Sequence, residues 1–144
     1  MITQNDINNM VAAANLEGFQ VQNNQIQFQI WNAGIDTHIP EAMPLGMQAV
    51  FIFEIQNQYL KVVRSGGNSQ AAYRSHHYGI LRGGVSGLAS NLHNDLNFVT
   101  PPNNIDIWIR ANITRYNILF DENFDVDFAI FVKKYFVNLC NPLY

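Results

Sequence analysis

The chain has 144 residues, of which 48% are hydrophobic and only 13% are charged, and its formal net charge is −3. This length and apolar content are sufficient for one compact domain with its own core. The acidic balance argues against a protein that grips nucleic acid through a broad basic face, because such binding depends on the neutralisation of phosphates. It leaves room for a local basic groove.

The cysteine and amide content limits the kinds of site and partner that the protein can have. Cys140 is the only cysteine, so no intrachain disulfide and no multi-cysteine metal site can form. No apolar run approaches the roughly 18 residues that cross a bilayer, and we expect a cytoplasmic protein without membrane association. The 19 Asn and 10 Gln residues predict an amide-rich surface with little charge repulsion, which favours protein partners. An AT-rich coding sequence would produce the same bias.

The N-terminal third predicts a helix and a hairpin. Ile7, Met10 and Val11 are spaced as on one face of a helix over residues 4–14, which ends near Gly18. Residues 19–22 and 26–30 alternate apolar with amide residues around an Asn pair, which indicates a β-hairpin. Residues 32–47 have the Gly and Pro content of a loop. We interpret residues 1–48 as an extension packed on a core of residues 49–144, within one compact domain.

The core predicts strands and helices in alternation. Ala49–Glu54 and Tyr59–Val63 are two antiparallel strands joined by a turn at Gln56-Asn57. After these strands we expect a helix over about 70–77 capped by Ser69, a glycine-rich loop from Gly79 to Gly87, and a helix from Ser86 to Leu96. Pro101-Pro102 forces a break before a helical or extended segment. The chain then predicts a strand at Asn117–Phe120 and a last helix from Asp125 to Asn138. The order predicts an α+β fold with a small central sheet, antiparallel or mixed, flanked by helices.

Four short runs carry a resemblance to a known family. The first strand contains Ala49-Val50-Phe51 and the second ends in Lys61-Val62-Val63, and the helix region holds Ala71-Ala72-Tyr73 and His76-His77-Tyr78. These runs resemble the Gly-Ile-Tyr and Tyr-Ile-Gly strand triplets and the helix motif of GIY-YIG nucleases. The resemblance covers residues 49–144 and implies a GIY-YIG-like sheet flanked by helices.

The catalytic groups of that family are mostly absent. The resemblance implies two tyrosines that position a water, an arginine that offsets charge on phosphate, and a glutamate that holds a divalent metal ion. At these positions the chain carries Phe51, Val63, Ala72 and Lys133. A lysine would repel a metal ion. We therefore expect no catalytic residues, with Lys61, Tyr73, Arg74 and His77 as the candidates if the chain is active.

Other residues of the family pattern are kept and predict a ligand site. The candidate ligand-binding residues are Lys61, Arg64, Tyr73, Arg74, His77, Tyr78 and Arg115. Arg115 is expected to be solvated or paired with a carboxylate. His77 is either a retained proton-transfer residue or a hydrogen-bonded structural histidine. The adjacent His76 and His77 do not predict a metal site, because neighbouring side chains on a helix diverge by about 100°.

The expected function is therefore binding without catalysis. We expect a degenerate GIY-YIG-like domain that recognises a protein partner or a phosphate-bearing ligand, as an inhibitor, accessory or sensor protein in bacterial or phage conflict systems. Such a domain would need no cofactor. The alternative is a metal-dependent DNA endonuclease with a displaced active site, which would require Mg²⁺ or Mn²⁺.

Overall fold

The computed structural model of the chain describes residues 1–39, 41–67, 69–81, 84–85, 87–98 and 104–144. Its helices are α1 (Gln4–Leu16), α2 (Gln70–Arg74), α3 (Gly87–Asn94), α4 (Ile105–Asn112) and α5 (Val126–Cys140). Its strands are β1 (Ile26–Trp31), β2 (Met47–Ile55), β3 (Gln58–Ser65), β4 (Ile80–Leu81), β5 (Gly84–Val85) and β6 (Thr114–Asp121).

Four of the strands form the central sheet. Their order is β1-β6-β2-β3, and every neighbouring pair is antiparallel. The short strands β4 and β5 pair with each other in a separate sheet. The predicted α+β class, with a small antiparallel sheet flanked by helices, is confirmed.

The partner of β1 differs from the predicted one. Residues 19–22 form no strand, and Asn23–Gln25 form a short 3₁₀ turn. β1 instead pairs with β6, with Ile26 opposite Phe120 and Trp31 opposite Arg115. The alternation of apolar and amide residues correctly marks a strand, but it does not name the strand's partner. The N-terminal 48 residues thus contribute an edge strand to the central sheet.

The hairpin of β2 and β3 has the predicted tight turn. Gln56 and Asn57 both have positive φ, 48° and 67°. A two-residue turn with both central residues in the left-handed region matches the twist of the strands that it joins. Opposite residues on the two strands include Phe51 with Val63 and Phe53 with Lys61.

The sheet separates two apolar cores. On one face, α1 and α5 cover Val50 and Ile52 of β2. On the other face, Ala49, Phe51 and Phe53 pack with residues of α2, α3 and α4. β2 is buried almost throughout because it lies between β6 and β3 and both of its faces are covered.

Two helix starts follow their sequence signals. The Thr3 hydroxyl accepts a hydrogen bond from the backbone N–H of Asp6, whose carboxylate accepts one from the backbone N–H of Thr3. Asp125 begins α5, and its carboxylate accepts a hydrogen bond from the backbone N–H of Phe128 at 2.8 Å. The acidic start predicted for the last helix is confirmed.

Several predicted boundaries are wrong. α2 ends at Arg74 rather than near residue 77, and the Ser69 side chain makes no capping hydrogen bond. α3 ends at Asn94, so Leu96 is fully exposed rather than on the helix face. The segment after the proline pair is the helix α4, while Pro101-Pro102 itself lies outside the described residues. Within the part of the chain that the structure describes, none of the helices has the length and apolar content needed to cross a bilayer.

Candidate functional site

The strand β6 carries an arginine into the interior of the protein. Arg115 lies opposite Phe53 of β2, and Asn117 lies opposite Phe51. Directly opposite residues of paired strands point to the same face of a sheet, so both polar side chains enter the core that contains Phe51 and Phe53. Arg115 and Asn117 are both completely buried.

Aromatic rings surround the guanidinium group of Arg115. Its central carbon lies 4.1 Å from the ring centroid of Phe51, 4.4 Å from that of Trp31 and 5.0 Å from that of Tyr73. We call Trp31, Phe51 and Tyr73 the aromatic cage. Each distance is within the range of a cation–π interaction, which strengthens when the pair is removed from water.

The hydrogen bonds of Arg115 satisfy only part of its donors. Nε donates to the Asn117 side-chain oxygen at 2.7 Å, and Nη1 donates to the Tyr73 carbonyl at 2.8 Å and to the Tyr78 hydroxyl at 3.2 Å. Among the described residues, neither Nη2 nor the side-chain nitrogen of Asn117 has a hydrogen-bond partner. The cage therefore contains two buried donor groups without an acceptor.

No carboxylate balances the charge of Arg115. All eleven Asp and Glu residues lie in the described part of the chain, and none forms an ion pair with it there. Burial lowers the pKa of Arg115, but a guanidinium stays protonated in proteins. The expectation that Arg115 is solvated or paired with a carboxylate is wrong, because the side chain is enclosed by rings.

A series of buried hydrogen bonds connects Arg115, through Tyr78, to His38 in the loop before β2. The ring of His38 is completely buried between the Ile113 carbonyl, 2.7 Å from Nδ1, and the Tyr78 hydroxyl, which contacts Nε2. Since a carbonyl only accepts, Nδ1 carries the proton and Nε2 accepts from the Tyr78 O–H. The Tyr78 oxygen in turn accepts from Arg115. Burial lowers the pKa of His38 to about 4, so the ring is neutral at pH 7.

His77 lies over the same apolar surface but is bonded differently. Its ring packs against Phe51 and Phe53, with centroids 5.7 and 5.3 Å apart. It makes no hydrogen bond with the described residues. Burial, followed by the charge of Arg115, lowers its pKa to about 3. His77 is thus a packed, neutral imidazole, whose contacts with the described residues are to aromatic rings.

The remaining candidate residues are not brought together. Lys61 lies opposite Phe53, close to the start of α3, where a Cβ on Gly87 would lie 2.7 Å from its Nζ. Arg74 is exposed at the surface of α2, beside Arg110. Tyr73 is buried, and its hydroxyl donates to the Gln29 side-chain oxygen at 2.8 Å. The predicted ligand-binding residues therefore divide between the core and separate parts of the surface.

Three basic side chains line a groove between β3 and α5. Arg64, Lys133 and Lys134 line a cavity of about 510 Å³ together with Ile130, Val137 and Asn138. We call this surface the basic groove. Ile130 keeps 37% of its surface exposed. The groove combines positive charge with accessible apolar side chains.

The positions that resemble nuclease catalytic residues hold no reactive group. Phe51 lies under the guanidinium of Arg115, Val63 is a half-buried strand residue, and Ala72 has no functional group. Lys133 lines the basic groove rather than the cage. Across the described residues, no three His, Cys, Asp or Glu side chains are grouped as they would be around a metal ion. Burial raises the pKa of the Cys140 thiol to about 12, which makes it a poor nucleophile.

Three residues of this region were not predicted from the sequence. The sequence predicts no role for Trp31 or His38, and it predicts Asn117 only as part of a strand. A signal existed for Asn117, because it lies two residues from both Arg115 and Leu119 and therefore shares one face of the strand with them. For His38 the sequence carries no such signal.

Comparisons with known proteins add no assignment. Neither a scan of known protein families nor searches of curated proteins and of solved structures found a match to the chain. The resemblance to GIY-YIG nucleases therefore depends on the sequence runs quoted above.

Proposed function

We propose that the chain is a non-catalytic GIY-YIG-like binding domain that recognises an acidic segment of a partner protein through the basic groove. The observation that carries this proposal is the composition of the groove. Arg64, Lys133 and Lys134 line it together with the apolar Ile130 and Val137. An acidic segment with apolar side chains complements both properties.

The alternative of a phosphate-bearing ligand has less support in this groove. Nucleic acids are bound by many cations and by aromatic side chains on which bases stack. The described residues that line the groove include three cations and no aromatic side chain, and the net charge of the chain is −3. A protein segment is favoured because it requires fewer charges and uses the apolar contacts.

The absence of catalysis in this proposal follows from the residues beside Phe51. A general base or metal-bound water would have to act next to a ring without a hydroxyl, in a site where the charged group is a guanidinium enclosed by aromatic rings. Of the two neutral histidines near the cage, His77 makes no hydrogen bond with the described residues that would orient it, and Nε2 of His38 is already occupied by the Tyr78 hydroxyl. Losing even one stabilising donor costs two to three orders of magnitude in rate.

The proposal is tested with a defined probe. A fluorescein-labelled peptide of about 16 residues, with Leu at helical spacing and Glu elsewhere, is titrated with the protein and followed by fluorescence anisotropy. We expect binding that weakens with added salt and that falls at least tenfold in Lys133→Glu. Arg74→Glu changes the net charge equally but lies outside the groove, so it should leave the affinity unchanged.

Two results would contradict the proposal. One is that the acidic peptide does not bind, or binds no better than a peptide with Lys in place of Glu. The other is tight binding of a DNA duplex that depends on Lys133. That result would show that the groove binds a phosphate-bearing ligand instead of an acidic protein segment.

A further inference from the structure

The aromatic cage holds a positive charge with unused hydrogen-bond donors. Arg115 is completely buried and has no carboxylate partner among the described residues. In the part of the chain that the structure describes, its Nη2 and the neighbouring side-chain nitrogen of Asn117 both lack an acceptor. These two donors come from side chains that are joined by the 2.7 Å bond between Arg115 Nε and the Asn117 oxygen.

The orientation of the Asn117 amide is fixed by this bond. Because Arg115 Nε–H can only donate, the atom 2.7 Å from it must be the amide oxygen, and the amide nitrogen is left unpaired. An aspartate at this position would have offered a second oxygen for Nη2 and a negative charge for the guanidinium. Asparagine offers one more donor instead. The local chemistry therefore lacks both an acceptor and a negative charge.

We propose that the Arg115–Asn117 pair binds a small monovalent anion of halide size inside the aromatic cage. A buried cation without a counter-charge is costly, and an anion removes this cost, which a neutral water does not. Two edges of the guanidinium are already used, by Asn117 and by Tyr73 with Tyr78. Nη2 is the one guanidinium nitrogen left without an acceptor among the described residues, and a single nitrogen favours one acceptor atom over the two oxygens of a bidentate oxyanion, which needs N–H groups from two neighbouring nitrogens.

This site is separate from the basic groove. Arg115 and Asn117 point into the core that contains Phe51, whereas the groove lies between β3 and α5. The bound anion would stabilise the fold, because a ligand that binds only the native state shifts unfolding by mass action. The inference does not depend on the proposed function.

The test measures thermal unfolding at a fixed ionic strength of about 200 mM, in sodium chloride and in sodium gluconate. The unfolding midpoint of the wild type should be higher in chloride by about 4 °C. In Asn117→Asp the carboxylate replaces the anion, so the midpoint in gluconate should rise above that of the wild type and the chloride effect should disappear. In the matched control Lys133→Gln, in the basic groove, the chloride effect should persist.

A direct measurement accompanies the unfolding experiment. Chloride-35 NMR of the folded wild type should show excess line broadening that is lost in Asn117→Asp and kept in Lys133→Gln. No chloride effect in the wild type, or an effect that survives in Asn117→Asp, would overturn the proposal. Loss of the effect in Lys133→Gln would also overturn it, because the anion would then lie in the groove.

Discussion

The guanidinium carbon of Arg115 lies 4.1 Å from the ring centroid of Phe51. Phe51 occupies the position at which the GIY-YIG resemblance implies a catalytic tyrosine. In this chain the ring has no hydroxyl, and a buried cation stacks on it from the strand β6. The apolar ring and the guanidinium stabilise each other, and this interaction is stronger because both groups are buried.

Replacing Arg115 by lysine should destabilise the protein by about 2–4 kcal/mol. An ammonium group retains the charge, but it cannot reproduce the planar fork that bonds Asn117, Tyr73 and Tyr78 together. Urea denaturation of Arg115→Lys measures the loss, with Arg74→Lys as the control, because Arg74 is exposed and should change by less than about 0.5 kcal/mol. Equal stability of the two variants would show that the bonds of Arg115 do not matter.

The Tyr78→Phe substitution should cost about 1–3 kcal/mol. The Tyr78 hydroxyl both donates to His38 Nε2 and accepts from Arg115 Nη1. Its removal leaves the buried Nε2 without a donor and takes away one of the two acceptors of Nη1, which keeps its bond to the Tyr73 carbonyl. Tyr135→Phe is a matched control, because the hydroxyl of that half-buried tyrosine makes no hydrogen bond with the described residues. If both substitutions have the same small effect on the free energy of unfolding, the His38–Tyr78–Arg115 chain does not stabilise the fold.

Stability should fall as the pH is lowered from about 7 to about 4. His38 has a pKa of about 4 in the folded protein and an ordinary value of 6.5 when unfolded, so the unfolded state binds the additional proton between these values. Its contribution is complete above pH 6.5 and is lost as the pH falls towards 4, with an upper limit of about 3 kcal/mol. His77 acts in the same direction, with a folded pKa of about 3.

Urea denaturation over this pH range measures the effect, and the slope should be reduced in His77→Phe. NMR titration of the imidazole resonances gives the folded pKa values independently. A free energy of unfolding that stays constant from pH 7 to pH 5 would contradict the burial of His38 and His77 as neutral groups. Titration of these two imidazoles near pH 6.5 in the folded protein would contradict it as well.

On the opposite face of the sheet, Phe128→Ala should cost about 3–5 kcal/mol. Phe128 is completely buried, and its ring centroid lies 4.6 Å from that of Phe124 and 5.1 Å from that of Phe120. Val126→Ala in the same helix is the control, because Val126 is 55% exposed. A loss of similar size in both variants would mean that position in α5, rather than burial, sets the effect on unfolding.

The sequence predicted the elements whose signals are local. The periodic apolar residues of α1, the strand β2 and the positive-φ turn at Gln56-Asn57 follow from spacing and residue type alone. The partner of β1 could not be predicted in this way, because Ile26 pairs with Phe120 across most of the chain. Strand alternation defines two faces, but the register between distant strands depends on the whole sheet.

The candidate site was predicted only in part. Tyr73, His77 and Arg115 lie around Phe51, and Tyr78 lies against Arg115. Their burial was not predicted, because arginine is usually exposed and its enclosure here depends on rings from distant segments, such as Trp31. Arg64 and Arg74 lie elsewhere on the surface because β3 and α2 direct them away from the cage.

The central claim, that this domain binds without cutting, is tested most directly by incubation with supercoiled plasmid DNA in the presence of Mg²⁺ or Mn²⁺. We predict that no nicked or linear product accumulates above that of a buffer control. Wild type, His77→Ala and the control His93→Ala, which changes an exposed histidine of α3, should be indistinguishable. Metal-dependent nicking by the wild type that disappears in His77→Ala and persists in His93→Ala would contradict the account.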